Sequence, residues 1–168
     1  MADVYAFLEL KDIPGEAQDS KYKDKIELQS FSWGATNNSS YANGTGGNIG
    51  KGHIHDISFS KFMCKASPEL MKRVVSGKAI PEGKLSLCKL SGETDGDKIA
   101  YYEIKLQNIV LTSYQVAASG GGQLPMESGT LHFVVTQPKY KPQKNEGSAD
   151  GGNGFGWDLQ QNIEVDPG

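Results

Sequence analysis

Apolar and polar residues alternate along most of this chain, and a period of two is the spacing of a strand, whose successive side chains point to opposite faces. Residues 4–10 put Val4, Ala6, Leu8 and Leu10 on one face. Residues 23–33 begin with Ile26 and Leu28 in one phase and end with Phe31 and Trp33 in the other. A uniform strand would leave one of these pairs in water, so the pattern predicts a bulge or bend near Gln29 and Ser30 that resets the phase, as happens where strands turn barrel corners. Strands are expected again over residues 53–64, 108–117, 127–137 and 155–165. Residues 84–90 and 98–107 read as a hairpin across SGETDGD, whose Gly and Asp residues favour turn geometry.

One segment departs from period two. Ser67 as N-cap, Pro68 at the first helical position, Glu69 in the first turn, Leu70, Met71, Val74 and Val75 at helical spacing, and Gly77 at the C-terminal cap predict one short amphipathic helix. The 21 glycines are clustered rather than periodic, which implies long loops on a compact body. Residues 34–52 contain only Tyr41 and Ile49 as large apolar residues and form a long excursion of the kind that usually carries function. With 168 residues the chain is expected to form one domain over 1–168. The fold class that fits is mainly β: a small antiparallel β-barrel of about eight strands, with one short α-helix packed at its side and long Gly-rich loops.

Charge and motifs narrow the function. The 17 basic and 20 acidic residues give a net charge of -3 without a clustered basic face, which argues against nucleic acid. No eighteen apolar residues run together, so no membrane span is expected, and MADVYAFLEL lacks the basic start and cleavage site of a Sec signal. The chain is therefore expected to be cytoplasmic when made. Cys64 and Cys88 read as small buried thiols.

The loop GGNIGKG fails as a phosphate loop, because Thr45 stands at the first Gly position, Gly52 replaces the magnesium-binding hydroxyl, and a strand follows. Ile49 occupies the third Gly position of a dinucleotide fingerprint. His53 and His55 share a strand face, but His132 is the only other histidine, so solvent or interface roles are the better reading. Ser58 and Lys61 have the spacing of a Ser-x-x-Lys nucleophile, yet three residues along a strand put them on opposite faces. No catalytic, cofactor-binding or metal-binding residue is expected.

In order along the chain stand PGEAQD, FSWG and the glycine-rich loop after it, DISFSKF, SPELM with its SGK ending, YYEIKLQNIVLTSYQ, and YKPQKNEGSADGG leading to FGWDLQQN. Together these resemble the haemolysin-coregulated protein (Hcp) family, the inner-tube subunit of type VI secretion, over essentially the whole chain. The resemblance implies hexameric rings that stack into a tube inside a contractile sheath, tipped by a trimeric spike protein, with effector proteins carried in the lumen. It implies export by that machine to the exterior or a target cell, and no enzyme activity. It also implies that Ser32, between inward-pointing Phe31 and Trp33, looks into the lumen, and that the loop with Tyr41, Asn43, Gly46, Gly47 and Ile49 reaches toward the adjacent ring. Tyr101, Tyr102 and Ile104, and Ile109, Val110 and Leu111, make both faces of their strands apolar, one for the barrel and one for a neighbour. The alternatives are a free-standing ligand-binding barrel and, behind it, a hydrolase using Ser58 and Lys61.

Overall fold

The computed structural model describes residues 4–38, 50–90, 98–142 and 152–168. From the N-terminus the elements are β1 (Val4–Leu10), β2 (Ile26–Leu28), β3 (Ser30–Ser32), β4 (Ala35–Asn37), β5 (Gly52–Ile54), β6 (Ile57–Phe62) and α1 (Ser67–Ser76). There follow β7 (Ile80–Leu90), β8 (Lys98–Ala117), β9 (Met126–His132), β10 (Val135–Tyr140), β11 (Asn153–Gly154), β12 (Gly156–Asp158) and β13 (Ile163–Val165).

Two antiparallel sheets share strands at their corners. The first runs β13-β12-β10-β8-β7-β1-β2, and the second runs β3-β6-β9-β8. The 20-residue β8 serves both: Tyr102 to Gln107 pair with β10, and Val110 onward pairs with β9. The switch falls at Asn108, whose φ of 52° is a left-handed conformation that Asn tolerates better than most residues. At the other corner β2 pairs with β1 and β3 pairs with β6, and the chain bends between them at Gln29, whose N–H donates to the Ser60 carbonyl at 2.8 Å. The pairing path therefore returns to its start, β1-β2/β3-β6-β9-β8-β7-β1, and the Gln29 bend is the phase reset expected from the sequence.

The interior is filled with side chains. Leu8, Ile26, Ile57, Leu70, Ile80, Leu85, Ile104, Ile109 and Leu131 are all fully buried, and each contributes about 1.5–3 kcal/mol through the water it sheds. Phe31 and Trp33 pack against this core, and Trp33 meets Phe133 edge-on at 6.4 Å between ring centroids. Gly129 lies opposite Phe59, where an added Cβ would stand 2.8 Å from the ring.

Several element boundaries differ from the expectation. The helix starts at Ser67 with Ala66 as N-cap and no side-chain cap; Ser67 is inside the first turn because its hydroxyl is committed to the barrel. The C-terminal cap is Gly77, at φ 65°, with its N–H on the Arg73 carbonyl. Residues 127–137 form two strands, because the chain kinks at Phe133 and Val134 and the buried position moves from odd to even, leaving Thr136 fully buried. Residues 53–64 break after Ile54, and 155–165 split around a turn. The excursion over 34–52 is not all loop: β4 and β5 pair as an exposed two-stranded ribbon at its base. The turn of the β7–β8 hairpin, 91–97, lies outside the described residues.

Candidate functional site

The outward face of the second sheet is built by register. Ser32 on β3 lies between core-facing Phe31 and Trp33, so its side chain leaves the barrel and is exposed. Its partner is Ser58 on β6, which faces Thr130 on β9, which faces Ser113 on β8. Two residues along, Ser30, Ser60, Ser128 and Gln115 form a second row across the same four strands. Ser30 and Ser60 hydroxyls lie 2.6 Å apart, and those of Ser113 and Thr130 2.7 Å apart. The register shift between Leu111 and Ser113 lets Thr112 join at 2.5 Å from the Thr130 hydroxyl. The hydrogen bond between Asp56 and His132 Nδ1, at 2.8 Å, closes one end of the face, and the opposed, partly exposed Phe62 and Met126 close the other.

Beneath this face lies a charged group that period two puts inside. Lys61 is 0% exposed and Glu127 1% exposed. Lys61 Nζ donates to Glu127 Oε2, to the Ser67 hydroxyl at 3.1 Å and to the Phe62 carbonyl at 3.0 Å. The Ser67 hydroxyl (2.7 Å) and the Tyr114 phenol also donate to Glu127 Oε2. Burial pushes the Glu127 carboxyl up, but the hydrogen bonds from Lys61, Tyr114 and Ser67, with the Lys61 charge, outweigh it and hold the group below the usual carboxylate range. Burial and the bond to Glu127 push the Tyr114 phenol up. The network joins β6, β8, β9 and α1. The Ser67 hydroxyl accepts from Lys61 Nζ and donates to Glu127 Oε2, so both of its roles are taken within the network.

The first sheet's outer face has the opposite character. Its rows read Glu9, Lys84, Lys105, Gln137 and Phe7, Ser86, Glu103, Lys139. Residues 14–25 fold over part of it: Tyr22 stacks on Phe7 at 4.6 Å, and Phe7, Ala17 and Cys88 are buried together. Lys98 lies 4.3 Å from the Tyr5 ring centroid and bonds Asp19, and that bond, with the backbone N–H groups of Lys21 and Tyr22, lowers the Asp19 carboxyl against the upward push of burial. Cys64 and Cys88 are free thiols.

Of the residues singled out by sequence, Ser32 is where the phase argument put it. Tyr41, Asn43, Gly46, Gly47 and Ile49 lie outside the described residues. His53 and His55 have ring centroids 5.2 Å apart, and His55 meets the Thr36 hydroxyl at 3.2 Å. No group of three or more potential metal ligands occurs among the described residues. Ser58 faces outward while Lys61 is buried, as opposite strand faces require. The Lys61–Glu127 pair and the hydroxyl rows are not in the sequence reading: the parity of SFSKF and ESGTLHF gives each residue its face, and only the cross-strand register pairs them.

These features define a filled two-sheet β-barrel whose distinctive surfaces are broad strand faces rather than a pocket with convergent reactive groups. Residues 7–140 match the family model described as "Type VI secretion system effector, Hcp". Protein hcp1 of Pseudomonas aeruginosa is 35% identical over 160 residues, covering 95% of this chain and 97% of that protein. A solved structure of a type six secretion system protein superposes with a TM-score of 0.89 at 31% identity, covering 97% of this chain and all (100%) of its own. The crystal structure of Hcp1 from Salmonella typhimurium gives a TM-score of 0.77 at 26% identity over 98% of this chain and 100% of its own. The chain belongs to the Hcp family, the secreted structural tube proteins of type VI secretion, which is not a family of enzymes. Among the described residues no helix is long and apolar enough to cross a membrane.

Proposed function

We propose that the chain is one domain over 1–168 that assembles with itself into hexameric rings, that the rings stack into the type VI tube, and that the lumen carries and chaperones effector proteins. A trimeric spike protein and a contractile sheath are its partners in that machine, which exports it from the cytoplasm. The observation that carries this reading is the family match over residues 7–140, joined by 35% identity across 160 residues. The packed interior supports it against a ligand-binding barrel, since the volume such a binder keeps for its ligand is filled here by Leu8, Ile57, Ile104 and Leu131.

Within this reading Ser32 faces the lumen and touches passengers, and Tyr41, Asn43, Gly46, Gly47 and Ile49 belong to the ring-stacking loop. Light scattering on the eluting protein tests the ring: a hexamer is expected, and a monomer at all concentrations overturns the assignment. Ser32→Gln should leave hexamers intact and reduce effector retention and export, because an open wall tolerates added volume that a packed contact does not. Loss of the ring in that variant would assign Ser32 to an interface. Replacing residues 41–49 with a short Gly/Ser linker should leave hexamers and abolish stacking; rings that fall apart would move the loop to the lateral contact.

A further inference from the structure

Resting on the reading of the second sheet's outer face as lumen wall, we propose that its hydroxyl rows hold passenger proteins through uncharged hydrogen bonds alone, so that which proteins are held does not follow their charge. The rows cross four strands, about 14 Å at the ordinary strand spacing, and stand about 7 Å apart. None of their eight positions carries a charge or a side chain larger than Gln. The rest of the molecule is not like this: 22% of residues are charged, and the matching rows on the first sheet carry Glu9, Lys84, Lys105, Glu103 and Lys139. Of the charged groups that the second sheet does contain, Lys61 and Glu127 turn into the core, and Asp56 stands outside the two rows at one end of the face, where it accepts from the Thr112 hydroxyl and meets His132.

This chemistry selects the occupant. Without cations the face cannot neutralise phosphates, which excludes nucleic acid. Short hydroxyls offer little apolar area to remove from water, which disfavours tight packing by a second copy of the chain. A hydroxyl both donates and accepts and rotates to suit, so Ser58 or Thr130 can bond whatever amide, carbonyl or hydroxyl a hydrated protein surface presents. Each such bond contributes only about 0.5–1.5 kcal/mol, and retention comes from repeating it around a ring. None of the eight row positions adds an ionic contribution for salt to screen.

The probes are a cationic and an anionic methanethiosulfonate of matched size, reacted with Ser58→Cys, made on a Cys64→Ser background that removes the partly exposed native thiol, in assembled rings at low salt. Their rate ratio should lie within about twofold of the ratio for free cysteine; a bias of tenfold in either direction shows a charged wall and overturns the proposal. Effector proteins that co-elute with wild-type rings from the native host should be retained to within about twofold between roughly 0.05 and 0.5 M NaCl. Tenfold loss at high salt overturns the proposal as well. Ser58→Lys should make retention depend on passenger charge at low salt, with acidic passengers gaining over basic ones by more than threefold and the difference vanishing at high salt; retention that stays blind to charge in this variant overturns it. The lumen reading has its own readout, labelling of the same Ser58→Cys, Cys64→Ser rings by a maleimide fixed to beads. Labelling by beads puts the face outside the ring and sinks that reading whatever the salt result, and rings that carry no passengers overturn both.

Discussion

The two sheets present nearly identical inner faces and opposite outer ones. Inward, β1, β7 and β8 contribute Leu8, Leu85 and Ile104, while β6, β9 and β8 contribute Ile57, Leu131 and Leu111, aliphatic rows of the same kind. Outward, the first sheet carries Phe7, Glu9, Lys84 and Glu103 and is partly roofed by residues 14–25, whereas the second carries two rows of Ser and Thr ending in Gln115. A barrel needs only the inner pattern to fold, so the outer faces are free to differ, and their difference reports what each has to meet. Among the described residues the charged exception is the Lys61–Glu127 pair inside the second sheet, beside the neutral Thr136 inside the first.

The strongest way to break the likeness of the inner faces is at the helix that covers the barrel. Leu70 is fully buried against the core, and Leu70→Asp would leave an unpaired carboxylate there, a penalty of several kcal/mol. The variant is expected in inclusion bodies, or as a protein without a cooperative melt. An unchanged melting temperature would mean that the helix does not cover the core.

Next comes the exception itself. Glu127→Ala strands the Lys61 ammonium and should cost about 3–5 kcal/mol, while Lys61→Met combined with Glu127→Leu should cost far less, because no charge is left unpaired. Urea titrations of both variants decide it; equal losses would mean that the network acts through packing alone. The pH dependence has a definite sign. Glu127 is held below its unfolded value, so its contribution is complete above the ordinary glutamate value of about 4.3 and is lost as pH falls through the lower folded one. Glu127→Gln should flatten this part of the acid limb.

The outer faces separate at smaller cost. Phe7 points out of the barrel yet is 3% exposed beneath Tyr22, so Phe7→Ala should lose about 3 kcal/mol by differential scanning calorimetry, as though it lay in a core. A change below 1 kcal/mol would show that the 14–25 roof is not packed.

Much of this was legible in the sequence, and the misses share a cause. The phase reset at Gln29 could be read because Leu28 and Phe31 cannot both face inward on one straight strand. The reset at Phe133 and Val134 could not, because Val135 looks like a continuation of Leu131 and Phe133, and the residue buried instead is Thr136. Ser67 reads as a helix cap because a local rule favours that role, whereas its hydroxyl answers to Lys61 and to Glu127, the latter 60 residues away in sequence. Local periodicity gives faces, and cross-strand register gives partners. The hydroxyl rows and the buried ion pair exist only at the second level, where β3, β6, β9 and β8 are laid side by side.

The smallest expected effect tests the contrast most directly. Ser60 occupies an outward position on β6 as Phe7 does on β1, and its hydroxyl meets that of Ser30 at 2.6 Å. Both hydroxyls lie at the surface, where water replaces a lost partner, so Ser60→Ala should change stability by no more than about 0.5 kcal/mol. Urea unfolding of the monomeric protein, its state checked by light scattering, gives this number free of assembly. If Ser60→Ala instead costs as much as Phe7→Ala, the hydroxyl rows stabilise the fold, and their uniformity needs no passenger to explain it. If the cost is small in the subunit but the assembled ring loses passengers, the rows are spent on what the ring holds, and the difference between the two outer faces is one of function.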